Sequence, residues 1–564
     1  MRRPPSLFRR WQLPSVARTI AACSLLAGCY SAGDGISPPG ERIYFPVGLA
    51  LTTDAKYLAV VNSDFDLQYN AGTLATLSVE ALGQYVAQPC DQDSHCSSGQ
   101  CDVDGDPANG EGPSYVCVAD KAAPDPCLGL GVRPAAERLL FPGRCEYIDP
   151  EKHGVLADHV QIGAFATDAV FLPDPDRNVE GRLFVPVRGD ATLHWANIDA
   201  NGTIDCGQGL NSHGACNGAH RAGDDPEQEN TRDIRLAPEP FGVAVDPEGK
   251  AVVVTNQTSG RVSIFSHEWQ ANDASALQLQ FEVTNLATRP MSIAALPTPK
   301  YATMTLNPTE TYAPGFLVTF RNAPQVDLIR YFPDTVSNPG RPYASRANAV
   351  PITINSIGTD SRGIAIDDSV RVASEAECDA THGRSSVSDQ CKGDNAACTQ
   401  EEQEYIACLR KVASTSLDVF IASRAPSSLL VGKTTPAENA LQSTELPAFF
   451  DSISMTQGPS RVVTGKVIVG PKDGPPTYEP RVFVSCFDSR RVFIYDPIRR
   501  RIDTEIMTGR GPHALAVDEA RGWLFVGHFT DSFIGVVSLD TRFTHTYGKI
   551  LATVGEPSAP RASK

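Results

Sequence analysis

Short apolar runs recur along the chain, divided by turns rich in Gly, Pro, Asp and Asn. The last copy shows the unit in full: G-P-H-A-L-A-V-D-E-A-R-G-W-L-F-V-G-H-F-T-D-S-F-I-G-V-V-S-L-D, Gly511 to Asp540. It reads as strand, acidic or Gly turn, strand, polar turn, strand. A second copy runs from Pro240 to Phe265, and a third from Pro46 to Ser63, closed by T-L-A-T-L-S-V. Weaker copies begin near Thr167, Pro290, Arg362 and Pro459. Their second strands are R-L-F-V-P-V (Arg182), G-F-L-V-T-F (Gly315), L-D-V-F-I-A (Leu417) and R-V-F-V-S-C (Arg481). That makes seven units.

A short strand with one apolar face cannot stand alone. Four of them make a twisted blade, and blades stack around an axis. The pattern therefore predicts an all-β, seven-bladed β-propeller. The second strands are nearly all Val, Leu and Phe, as strands buried on both faces should be. The ring is expected to close by strand exchange. Either Ile43 to Phe45 completes the last blade, or Ile550 to Val554 completes the first.

The motifs G-P-x-x-L-A-V-D and G-x-L-F-V at Gly511 to Val526, with P-x-G-V-A-V-D-P-x-G at Pro240 to Gly249, resemble the YVTN-repeat and lactonase-like propellers. The resemblance covers most of residues 43–555 outside the insertions and speaks to fold rather than activity. No W-D dipeptide occurs, which disfavours the WD40 version. Insertions break the period at 84–160, 203–237 and 370–415, and residues 556–564 form a tail. The last insertion carries one predicted helix, Thr399 to Val412, with Thr399 as N-cap, Glu401 and Glu402 in its first turn, and Arg410 and Lys411 near its end.

The chain starts with Arg2, Arg3, Arg9 and Arg10 and has no acid before Asp34. A short apolar stretch, Ile20 to Ala27, ends at Cys29. This is the layout of a secretory signal, too short to span a bilayer. Leu26, Ala27, Gly28 and Cys29 resemble the lipobox of bacterial lipoproteins. By that resemblance residues 1–28 are removed, Cys29 carries the lipid, and 29–42 form a tether. Tyr30 stands where Asp would resemble an inner-membrane retention signal. The expected location is therefore the cell envelope, on the outer membrane, held through the lipid anchor.

Composition agrees with export. The 564 residues carry a net charge of −17. Removal of residues 1–28 takes away five Arg and no acid, leaving −22. No basic excess exists for a nucleic-acid partner. The 15 Cys fall into even, local groups once Cys23 and Cys29 are set aside. Cys90, Cys96, Cys101, Cys117, Cys127 and Cys145 form one. Cys206 and Cys216 form a couple. Cys378, Cys391, Cys398 and Cys408 form a third group. Such groups imply disulfides and an oxidising compartment, with the pairing left open. Cys486, in R-V-F-V-S-C-F, reads as a buried thiol. No C-x-x-C occurs, so zinc ribbons are not signalled.

Candidate chemistry gathers at the channel mouth. His513 opens one strand and His528 ends its partner, so the two are expected side by side. Arg188, Arg321 and Arg424 follow their second strands, and Arg362 and Arg461 open first strands. Two His and several Arg could hold an anionic small molecule or a metal. Asp102, Asp104 and Asp106 in C-D-V-D-G-D resemble the opening of a calcium loop, though Pro113 stands where the closing Glu would be. No cofactor is expected apart from calcium. V-G-K-T-T at Val431 to Thr435 lacks the first Gly of a phosphate loop. No G-x-S-x-G occurs.

Two functional classes follow. The first is a binding or scaffold lipoprotein, whose propeller face and Cys-rich loops recognise a protein, a glycan or a small ligand. The second is an enzyme at the channel mouth, lactonase-like by resemblance, with a cofactor-dependent, quinoprotein-like oxidation as a weaker variant.

Overall fold

The computed structural model describes residues 35–104, 113–175, 180–207, 214–223, 235–305, 312–333, 343–346, 350–351, 360–392, 397–435 and 446–558. Seven antiparallel sheets of four or five strands follow one another along the chain, and they form a seven-bladed propeller. Blade 7 shows the plan: Pro512–Asp518, Trp523–His528, Phe533–Ser538 and Ile550–Val554, in spatial order. The innermost strands of the other blades are Pro46–Leu51, Val170–Pro173, Pro240–Val245, Pro290–Ala295, Ser361–Asp367 and Pro459–Val469.

The core is a set of seven apolar clusters, one between each pair of neighbouring blades. Strand alternation explains this. In Thr477–Cys486, Val482 and Val484 pack toward blade 5 while Phe483 packs toward blade 7. Both faces of each second strand are thus buried, as its uniform Val, Leu and Phe content predicts. V-G-K-T-T lies at the end of the third strand of blade 5, Ser427–Thr434, and opens no helix.

The ring does not close by strand exchange. Ile550–Val554 is the fourth strand of its own blade, and Ile43 to Phe45 form no strand of blade 7. The reason lies in the first insertion. Its end returns as Leu156–Ile162 and completes blade 1, so no strand needs borrowing. Closure comes from the cluster between blades 7 and 1 and from a parallel bridge of Ile148 to Val554.

Topology also assigns the insertions to rims. In a four-strand meander the loops between strands 1 and 2 and between 3 and 4 share one end. The six-Cys insertion lies between strands 3 and 4 of blade 1, and the four-Cys insertion between strands 1 and 2 of blade 5. Both leave from the rim opposite the start of the first strands. The six-Cys segment holds Cys90–Cys101, Cys96–Cys117 and Cys127–Cys145. It packs along the outside of blades 6 and 7: Tyr115 stacks on His545 at 3.9 Å, and Arg490 donates to the Leu140 carbonyl at 2.9 Å. Among the described residues the four-Cys segment holds two helices rather than one, Ser369–His382 and Gln400–Ala413, tied by Cys378–Cys408, with Cys391–Cys398 paired between them. Thr399 caps the second helix in a full capping box with Glu402. Cys206–Cys216 lies between Ile204–Asp205 and Arg221–Ala222, both on the outer edge of blade 2. Cys486 is a buried, unpaired thiol, and burial pushes its pKa up to about 11.

Candidate functional site at the channel mouth

Six of the seven blades begin with a register shift. It falls between Pro46 and Gly48, Pro240 and Val243, Pro290 and Ile293, Ser361 and Gly363, Pro459 and Arg461, and Pro512 and Leu515. A bulge re-aims the side chain within it. The residue after each opening Pro or Ser therefore faces the axis. Val47, Phe241, Met291, Arg362, Ser460 and His513, with Thr167 in blade 2, all line one cavity of about 300 Å³. Each blade contributes one member to this ring, and the seven side chains all differ.

A second tier sits above it, formed by the residues that end or directly follow the second strands: Ser63, Arg188, Gln257, Arg321, Arg424, Phe487 and Phe529. Each donates its backbone N–H, at 2.8–3.1 Å, to a carbonyl in the segment that leads into the first strand of its own blade. Those acceptors are Phe45, Phe165, Glu239, Arg289, Asp360, Gly458 and Gly511. Phe45, Phe165, Glu239 and Arg289 hold positive φ of 48°, 60°, 57° and 61°. A non-glycine residue in that region costs about 1–2 kcal/mol, so the rim carries backbone strain in four blades.

The channel is tied off below the ring. Arg461 of blade 6 meets Asp168 of blade 2 across the axis at 2.7 Å. Burial opposes the Arg461 charge, but the attraction of the Asp168 carboxylate outweighs burial, and the Arg461 pKa rises. Neighbouring positions are glycines where first strands crowd: a Cβ on Gly242 would come within 2.6 Å of the Met291 carbonyl oxygen.

The predicted residues separate. Arg188, Arg362, Arg424 and His513 line the mouth cavity. Arg461 lies one position past the ring, where Ser460 stands instead, and belongs to the tie below. Arg321 sits at the rim, 3.8 Å from Asp360. His528 is not beside His513. Its backbone pairs with Pro512, but its ring is fully buried and stacked on Phe533 at 3.9 Å. The alternation explains the parting: the bulge turns His513 inward, while the residue that reaches the mouth from the second strand is Phe529. Burial drives the His528 pKa down to about 3. For His513, burial and then the charges of Arg461, Arg362 and Arg424 lower it to about 4. Both rings are neutral at pH 7.

Sequence reasoning missed the aromatic half of the site. Phe65, Phe165, Phe487 and Phe529 form a contiguous arc, with centroid separations of 5.9 Å for Phe65–Phe165, 5.2 Å for Phe65–Phe529 and 6.0 Å for Phe487–Phe529. The available signal was Phe at the position directly after V-S-C and V-G-H. Among the described residues, no Asp or Glu lines the cavity, so it suits an anion better than a metal ion. Each Arg leans on a carboxylate just outside: Arg188 on Glu239 at 2.9 Å, Arg362 on Asp360 at 2.6 and 3.0 Å, and Arg424 on Asp488.

Away from the mouth, Asp102 is buried in the Gln100–Asp102 strand and accepts a hydrogen bond from Ser114 at 2.5 Å. Asp104 is exposed, and Asp106 lies outside the described residues, as does Cys29.

No protein-family model matches the chain, and no curated protein does. Solved propellers are similar at low identity. The periplasmic gluconolactonase PpgL of Pseudomonas aeruginosa is 11% identical over 83% of this chain and 86% of that one, with a TM-score of 0.40. Virginiamycin B lyase of Staphylococcus aureus is 9% identical over 88% and 94%, with a TM-score of 0.35. A protein of unknown function from Desulfotomaculum acetoxidans is 10% identical over 72% and 90%, with a TM-score of 0.39.

Proposed function

We propose that the chain is a lipid-anchored protein of the cell envelope whose propeller binds a ligand at the channel mouth. One observation carries this reading: seven equivalent positions on a regular scaffold bear seven different side chains, above a channel tied off by Arg461 and Asp168. A scaffold fixed by backbone hydrogen bonds leaves such a ring to vary toward recognition. The Cys-rich segments serve the opposite rim and the outer edge rather than the mouth. Calcium at Asp102, Asp104 and Asp106 remains part of this proposal as a structural ion.

Two measurements test it. Labelling with radioactive palmitate should mark the wild-type chain and not Cys29→Ser; equal labelling refutes the anchor. A panel of small anions, cations and neutral compounds should contain members that raise the melting temperature of the wild type and leave His513→Ala with Arg362→Ala unmoved. Stabilisers that act equally on both remove the mouth as the site. Turnover of a ligand that is lost in His513→Ala would favour the enzyme reading instead.

A further inference from the structure

The mouth is not uniform around its circumference, and the difference names a ligand class. Blades 6, 7, 1 and 2 present Phe487, Phe529, Phe65 and Phe165, with Val47 from blade 1 in the ring between them. Phe65 remains half exposed at 51%, an uncovered aromatic face at the cavity edge. At the rim, above Met291 of blade 4 in the ring, blades 4 and 5 present the opposite character. Arg289, Arg321, Arg362 and Arg424 gather there, and the charges of Arg362, Arg289 and Arg424 act together with burial to lower the Arg321 pKa. The carboxylates among them are Asp360, shared by Arg321 and Arg362, and Asp488, held by Arg424. Four cations thus face two anions in a chain of net charge −17. A local cationic excess beside low-dielectric walls draws an anion and holds it more strongly than open water would allow.

Resting on the binding reading above, we infer that the mouth takes a small amphipathic anion, with its carboxylate, sulfonate or phosphate on the arginines of blades 4 and 5 and its apolar or aromatic body on the phenylalanine arc. Arg362 is the central contact, because it belongs to the inward ring while the other three sit in the rim above. The guanidinium can exchange one of its two bonds to Asp360 for the ligand, since Arg321 stands ready at the same carboxylate. His513, within the aromatic half and 6.4 Å from Phe487, presents a neutral ring and adds a hydrogen bond without adding charge.

Two fluorescent probes separate the parts of this inference. 1-Anilinonaphthalene-8-sulfonate is an aromatic anion, and N-phenyl-1-naphthylamine has the same rings without the sulfonate. Both are titrated into the oxidised chain starting at Tyr30, which holds every described residue. The sulfonate should bind saturably and about tenfold more tightly than the neutral probe, and the margin should shrink as salt rises. Arg362→Gln, with Arg424→Gln as a second variant, should remove that margin and leave the neutral probe unchanged. Phe65→Ser should weaken both probes, and its exposed position keeps the fold out of the result. Equal affinity for the two probes, with Phe65→Ser weakening both, overturns the anion class and leaves the mouth as a binding site. Binding that no substitution moves overturns the mouth itself.

Discussion

The channel mouth and the four-Cys segment on the far rim are built by opposite means. At the mouth, the backbone repeats seven times and the side chains vary. Backbone hydrogen bonds within each blade shape it, side-chain bonds such as Thr167 Oγ1 to the Phe241 carbonyl link neighbouring blades, and Val47 and Phe529 reach the core between blades 1 and 2. The far-rim segment has no repeat to lean on. It carries a small cluster of its own, Cys378, Val387, Cys391, Tyr405, Leu409 and Val412, and needs two disulfides to hold it. It docks on the short helix Lys300–Thr305 through Lys300, whose Nζ lies 2.7 Å from Asp379 Oδ1, with the Tyr405 hydroxyl donating to the same oxygen at 2.7 Å. Variation is therefore cheap at the mouth and expensive at the far rim. If function follows tolerance, recognition sits at the mouth and the stapled segment serves stability.

The largest break of this contrast comes from the staple. Cys378→Ser with Cys408→Ser opens a closed loop of about 30 residues, for which the loop-entropy relation gives about 3–4 kcal/mol. Proteolysis should then enter the four-Cys segment, while probe binding at the mouth stays as in the wild type. A parallel loss of probe binding would show that the two regions are coupled.

Next in size is the tie beneath the ring. Arg461→Ala leaves Asp168 nearly buried without its partner, and uncompensated groups of this kind cost about 1–3 kcal/mol. Asp168→Asn in the same chain should recover part of that loss in a urea titration. No recovery would mean that packing of the long Arg461 side chain, and not its charge, matters there.

A smaller effect lies in the second helix. Thr399→Ala removes the N-cap and should cost about 1 kcal/mol. Its partner Glu402 accepts backbone hydrogen bonds at Ser388 and Thr399, which hold its pKa down to about 2. The folded value lies below the ordinary carboxylate range. The associated stability is present above that range and disappears as the pH falls toward 2. Glu402→Gln should flatten the acid loss of helical signal in that window; an unchanged slope would mean that the capping box does not titrate.

What could be read from the sequence follows the same division. The strand alternation in Phe483 and its neighbours, the opening Pro residues and the even Cys groups all depend on local pattern, and they led to the blades and the staples. Thr399 to Val412 was legible because an N-cap and a dipole-matched charge order mark it. Ser369–His382 was not, since it buries only Arg371 and Cys378 and shows no apolar stripe. The site was half legible. The bulge puts Ser460 rather than Arg461 in the ring, and at the end of the second strand the alternation buries His528 and sends Phe529 to the mouth. The short fourth strands, such as Ile204–Asp205, were hidden because the insertions begin or end inside them.

The smallest expected effect sharpens the comparison most. His513→Ala should change stability at pH 7 by no more than about 0.5 kcal/mol, as a residue facing a cavity should. The acid side tells more. The folded pKa of His513 is about 4, below the ordinary value of 6.5, because burial and nearby arginines disfavour the imidazolium. Between those two values the unfolded chain binds more protons than the folded one, so stability falls as the pH drops through that window. Removing the ring removes its share of the fall. His528, held down to about 3, contributes in the same direction and keeps the slope from vanishing. Urea midpoints of the wild type and His513→Ala at pH 7 and pH 4.5 should therefore differ less in the variant. An equal drop would show that the mouth does not hold His513 neutral. A large loss already at pH 7 would show that the ring supports the fold, and the contrast between a tolerant mouth and a stapled rim would fail.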